Sequence, residues 1–284
     1  MKKLTLFSSG LCLLFLGSTI CSAQDNMGPP KVLQIQREFL KPGKAGSTHE
    51  KTEAAFVHAM AAAKWPTHYF GMDSLSGPSR ALFFIGYPSF DAMEKDTLAT
   101  QKNATLSAAL DHASLVDGDL LSEYESSIFV YRDDMSFHST VNIAQMRYFE
   151  ISQFVVKPGH GKEWEELVKL YTDNYSKAVP EAHWATFERY YGTGGGAVFI
   201  VLTPMKSLSE VDKSFGDSKK FMDSMSEIDE KKMADLEAAC LDTEMTNLFA
   251  FNPKESYPPD EWIKADSFWK PKAAAPAPAA KPAQ

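Results

Sequence analysis

Apolar and polar residues alternate from position 32 to position 40, with Leu33, Ile35, Arg37 and Phe39 on one side and Gln34, Gln36 and Glu38 on the other. A period of two predicts a β-strand. Lys41-Pro42-Gly43 turns the chain, and residues 50–64 change to helical spacing, with Phe56 and Met60 one turn apart. Pro66 ends this helix, because a proline pushes the residue before it out of helical backbone. Strands at 67–75 and 80–87 flank the turn Ser76-Gly77-Pro78-Ser79. Ser89 stands where an N-cap would open a second helical region, which runs with breaks toward Leu121. A strand at 126–132 completes the order βαββαβ.

The chain then says nearly the same thing again. Lys157-Pro158-Gly159 follows a strand at 148–156, 116 residues after the first such turn. The helix at 163–177 places Trp164, Leu167, Val168, Tyr171 and Tyr175 on one stripe. Strands at 183–191 and 197–203 flank Gly192-Thr193-Gly194-Gly195-Gly196, Ser207 is the expected N-cap of a helical region toward Leu241, and a strand at 246–252 closes the copy. His68-Tyr69 answers to His183-Trp184, Gly77 to Gly192 and Pro88 to Pro204. A duplication of this length fixes architecture far better than any single motif fixes activity.

Residues 31–136 and 146–256, joined by a linker at 137–145, are therefore predicted as two tandem ferredoxin-like βαββαβ repeats of the α+β class. Helices cover one face of each sheet. Packing the bare faces sheet to sheet gives an intramolecular pseudo-dimeric α/β barrel. The apolar strand, the Lys-Pro-Gly turn and the helix after it resemble the dimeric α/β-barrel superfamily, which includes antibiotic-biosynthesis monooxygenases, stress-responsive barrel proteins and the NIPSNAP group. The likeness spans about residues 31–256 and is greatest to the NIPSNAP group. It leaves two functions open: a binding or structural barrel without catalysis, or a haem-binding or cofactor-independent monooxygenase-type enzyme working in the barrel lumen.

The ends change the setting. Met1-Lys2-Lys3, an apolar run to Ile20 and the small residues Cys21-Ser22-Ala23 read as a secretory signal at 1–23, followed by a linker at 24–30. The run is shorter than the ~20 residues of a spanning helix, so the expected protein is exported, periplasmic or extracellular, with no transmembrane segment after cleavage. Removal of Lys2 and Lys3 takes the formal charge from −8 to −10. That balance argues against nucleic acid as a partner. Cys240 is left as the single thiol, so the fold must rest on its core rather than on disulfides. A C-terminal extension at 257–269 carries Trp262, Phe268 and Trp269, whose size predicts docking, and an Ala/Pro-rich tail at 270–284 has nothing to bury.

Two constellations could carry chemistry. His68 and His183 occupy matched positions and could bind haem or a metal, or act as bases; Tyr69 and Trp184 beside them could wall a flat ligand. The alternative is a polar strand end that water reaches. If Leu33, Ile35 and Phe39 face the helices, then Gln34, Gln36 and Glu38, with Glu150 and Ser152 of the second copy, converge between the sheets as a site for a small apolar or aromatic ligand. The alternative there is a wet, hydrogen-bonded interface. No metal site and no cofactor are predicted, haem being the group that the resemblance allows. His49-Glu50-Lys51-Thr52-Glu53 lacks the second histidine of a zincin helix, and the glycines at 192–196 join two strands rather than lead into a helix. Cys240 reads as a buried apolar residue, and His58, His112, His138 and His160 lack metal-ligand spacing.

Overall fold

The computed structural model describes residues 28–270; the expected signal segment at 1–23 and the tail beyond residue 270 lie outside the described residues. The first repeat runs β1 (Val32–Leu40), α1 (Ser47–Ala63), β2 (Tyr69–Ser74), β3 (Arg80–Tyr87), α2 (Phe90–Lys102), α3 (Ala104–Gly118) and β4 (Leu121–Tyr131). The second runs β5 (Tyr148–Val156), α4 (Gly161–Ala178), β6 (Ala185–Tyr191), β7 (Ala197–Met205), α5 (Ser209–Ser224), α6 (Glu227–Cys240) and β8 (Leu241–Tyr257). A short helix, α7 (Asp260–Ala265), and a 3-10 turn at Ser267–Trp269 follow. Each second helical region is two helices, because Asn103 and Ser226 break it and recap it through their side-chain oxygens. Ser89 caps α2 as expected, but Ser207 does not cap α5; its hydroxyl meets that of Ser209 instead.

The eight strands close into one antiparallel barrel in the order β1-β3-β2-β8-β5-β7-β6-β4. The two sheets do more than face one another. β2 pairs with β8 and β4 with β6, so both edges of each four-stranded sheet are hydrogen-bonded to the other repeat. Closure leaves no open edge.

Leu33, Ile35, Phe84 and Phe129 of the first repeat meet Phe149, Ile151, Phe187 and Phe249 of the second in the lumen. This is the reverse of the expected orientation of β1 and β5. Gln34, Gln36, Glu38, Glu150 and Ser152 lie on the outer, helix-covered face, because a small closed barrel has a side-chain-filled interior. One end of the lumen is plugged by the C-terminal extension. Trp269 is 1% exposed, its indole N–H donates to Ala144 O at 2.7 Å, and Trp262 and Phe268 pack beside it. Arg147 pairs with Asp266 and lies over the Phe268 ring, 4.1 Å from its centroid.

The duplication persists in the hydrogen bonds at the two seams. Ser256 Oγ accepts from Gly71 N at 2.9 Å and donates to Asn252 O at 2.7 Å. Ser136 Oγ accepts from Thr186 N at 2.9 Å and donates to Arg132 O at 2.7 Å. Among the described residues no helix is long and apolar enough to cross a membrane.

Ser256→Ala should lower unfolding stability by about 1–3 kcal/mol, since it leaves a buried backbone N–H unpaired. Trp269→Ala should cost about 3–5 kcal/mol by unplugging the lumen. Urea denaturation followed by circular dichroism checks both.

Candidate functional site

The sheet of the second repeat and the helices above it do not close on one another. Between them lies a cavity of ≈ 460 Å³. Its floor is the outer face of β5, β7 and β8, where Glu150, Ser152, Thr203 and Thr246 stand. Its roof is aromatic: α4 contributes Trp164, Tyr171 and Tyr175, and Trp184 stands just before β6. α5 holds the roof from above, with Phe221 stacked on Tyr171 and Tyr175 at centroid distances of 5.2 and 4.5 Å. A polar floor cannot lose its water to an aromatic roof without loss of hydrogen bonds, so the gap does not collapse.

The lining is acidic. Glu150, Glu181, Glu210, Asp217, Glu237 and Glu244 face it, against Lys213, which is already held by Glu181 at 3.1 Å. Burial raises the Glu150 carboxyl above the usual carboxylate range, and burial with the nearby Glu237 does the same to Glu244. Burial and a hydrogen bond to Glu237 push the Tyr171 hydroxyl upward. The Trp164 indole N–H is buried and has no partner among the protein atoms.

The corresponding space in the first repeat is filled with charge. His49, on the first turn of α1 and 0% exposed, has Glu38 Oε2 at 3.0 Å, Asp117 Oδ1 at 3.6 Å and Glu53 Oε1 at 3.8 Å from its Nε2. Its Nδ1 lies 3.1 Å from Glu255 Oε1. Burial opposes charge on the imidazole, but hydrogen bonds to Glu255 and Glu38 outweigh it and raise the His49 pKa to about 11. Burial also pushes Glu38 and Glu53 upward and takes Glu255 to about 7. The group thus shares its protons as a unit.

Several residues singled out from the sequence are now separated. The two histidines stand beside β2 and β6, on opposite sides of the barrel. His68 Nδ1 meets Tyr257 O at 3.2 Å, and His183 Nε2 meets Pro204 O at 2.9 Å. Glu150, Ser152, His183 and Trp184 converge in the second-repeat cavity, whereas Glu38 joins the His49 cluster and Tyr69 packs against Phe83, its hydroxyl buried and unpartnered. Gln34 bonds Ser126 at 3.3 Å, and Gln36 is half-buried on the same outer face. Cys240 is buried. From the sequence, His49 and Glu53 are set aside for want of the second histidine of a zincin helix, and Asp117 and Glu255 are not singled out. The pair His49 and Glu53, one helical turn apart, was the available signal.

No protein-family model matches the sequence, and no curated protein matches it closely enough to count as a relative. Solved structures do match in shape. A candidate monooxygenase from Fusobacterium nucleatum is 10% identical, with a TM-score of 0.51 over 79% of this chain and 94% of its own. An anthrone oxidase-like protein is 14% identical, with a TM-score of 0.50 over 80% of this chain and 94% of its own. A candidate chlorite dismutase is 13% identical, with a TM-score of 0.49 over 83% and 99%. At such identities the likeness speaks of fold alone, and it agrees with the strand order and the paired repeats: this chain has the fold of the dimeric α/β-barrel superfamily, with both half-barrels in one polypeptide.

Proposed function

We propose that this chain is an exported binding protein that takes a small aromatic cation between the sheet and helices of its second repeat. The observation that carries the reading is the second-repeat cavity itself, roofed by aromatic rings, with Glu150 on its floor and further carboxylates from the helices. Such a site stacks a ring and pairs a positive charge. Glu150 is the natural partner of that charge, being partly buried on the floor, where burial raises its pKa. An acceptor on the ligand would satisfy the Trp164 N–H. Export rests on the residues at 1–23.

Binding is favoured over turnover by the state of the titratable groups. His183 is tied to a backbone carbonyl, and the Tyr171 and Tyr175 hydroxyls are pushed up, away from proton transfer near neutral pH. Haem fits the cavity poorly. Its propionates would meet Glu181, Glu210 and Glu237, with Lys213 already paired.

Calorimetric titration with phenethylammonium and, in parallel, with the similarly sized anion 3-phenylpropionate tests the proposal. The cation should bind and the anion should not; equal binding of both, or of neither, would overturn it. Glu150→Gln should weaken the cation about five- to tenfold, as expected for one lost, partly screened ion pair.

The same substitution has a consequence for pH. A carboxylate whose folded pKa is raised contributes stability in its protonated form, and that contribution is lost as pH rises through the folded value. Glu150→Gln should therefore be more stable than the unliganded parent at neutral pH. The difference should vanish as pH falls below the ordinary value of 4.5. Thermal melts between pH 4 and pH 8 check the sign.

A further inference from the structure

The His49 cluster is at odds with the economy of the rest of the fold, and the duplication shows how. At matched positions the layer beneath α4 has Phe154 where the layer beneath α1 has Glu38, Trp164 where it has His49, and Met135, which crosses over from the first repeat, where it has Glu255 of the second. Spatial equivalence supports the match: Trp164 lies on Phe199 at 5.0 Å, and His49 lies by Phe83 at 6.3 Å. The apolar residues belong to one buried cluster, with Met135, Trp164 and Leu167 all buried. The same backbone thus accepts apolar side chains at these three positions, while Asp117 keeps a carboxylate counterpart in Glu237. A buried set of charges is commonly no more stable than well-packed apolar residues, and each ion costs several kcal/mol to dehydrate.

We propose that this cluster is a site for one divalent transition-metal ion, held by His49 Nε2 and the carboxylates of Glu38, Glu53 and Asp117. Their donor atoms all lie within 4.8 Å of one another. A tetrahedron around an ion with bonds of ~2.1 Å has edges of about 3.4 Å, and the three donors stand 3.0, 3.6 and 3.8 Å from His49 Nε2. Glu53 Oε1 is fully buried and accepts no hydrogen bond from the protein, an orphan that a metal bond would satisfy. The second nitrogen is already oriented. With Nδ1–H donated to Glu255 Oε1 at 3.1 Å, Nε2 faces the three other carboxylates, and an ion that displaced the proton it shares with Glu38 would complete the carboxylate–histidine–metal arrangement of protein metal centres.

The backbone serves this placement. β8 bulges between its pairings Gly71↔Asn252 and Tyr69↔Tyr257, which carries Glu255 inward. A side chain at Gly71 would bring its Cβ to 2.8 Å from Glu255 O, so only glycine permits the approach. Residues 41–48 and 118–119, which border His49 and Asp117 in the sequence, are exposed. Three oxygens and one imidazole suit Mn2+, Fe2+ or Zn2+ better than soft, sulfur-seeking ions.

The test is direct and does not involve the second-repeat cavity. The full chain is stripped with EDTA, equilibrated separately with Zn2+ and Mn2+, desalted and assayed for metal by mass spectrometry, with the thermal midpoint measured alongside. One equivalent of either ion per chain and a raised midpoint are expected. Glu53→Gln, which keeps shape, should weaken the ion by at least about tenfold while circular dichroism stays unchanged, and His49→Gln should do the same if Glu53→Gln fails to fold. Failure of both ions to bind at stoichiometric level would overturn the proposal. So would stoichiometric binding that survives both substitutions, since the ion would then lie elsewhere.

Discussion

Closure of the sheet is the constraint on which the rest depends. Pairing β2 with β8 and β4 with β6 removes every edge of the barrel, and it also decides which side of each strand is inside. A lumen of eight strands is just wide enough for side chains to fill, and Trp269 seals one end of it. The interior is thereby committed to packing. Chemistry is displaced to the outer faces, into the two layers between sheet and helix, where a layer can be filled, left open or charged without loss of the barrel.

The two layers have taken different courses from one inherited backbone. In the second repeat the helix stripe is aromatic and the strand face polar, so they stand off and leave a cavity; Ser152 and Thr246 bond each other at 2.7 Å across its floor instead of reaching the roof. In the first repeat the layer is shut, and the residues that shut it are ionisable. Seam serines and lumen residues remain matched between copies, so the divergence falls mainly in the layers. A pseudo-symmetric barrel can thus hold one open and one sealed site without a change of fold.

The sequence made the architecture legible because duplication supplies its own internal control: an element predicted in one copy can be checked against the other. The strand at 32–40 was legible for its period, but its facing was not. Period two identifies two faces and leaves open which one is inside, and both sides of β1 carry buried residues, Leu33 and Ile35 on one and Glu38 on the other. The stripe Trp164, Tyr171 and Tyr175 was readable as helix; that it roofs a cavity follows only from the polar strands beneath it. The histidine cluster was hidden for a different reason. Its members come from β1, α1, α3 and β8, and His49 and Glu255 are 206 residues apart. Local spacing carries no trace of such a contact.

The contrast between Glu255 and Met135 shows why this hidden site is more than a packing accident. Met135 follows β4 and Glu255 lies near the end of β8, and both enter the layer beneath the other repeat's first helix, Met135 against Trp164 and Leu167, Glu255 against His49. A methionine there needs only shape. A glutamate needs a donor for each oxygen, and Glu255 finds one for Oε1 while Oε2 has none from the protein. If the first layer were only structural, apolar side chains such as Met135, Phe154 and Trp164 would do the same work at a smaller dehydration cost. The charge is therefore best understood by what it attracts, and the orientation of His49 by Glu255 gives that attraction a direction, toward Glu38, Glu53 and Asp117.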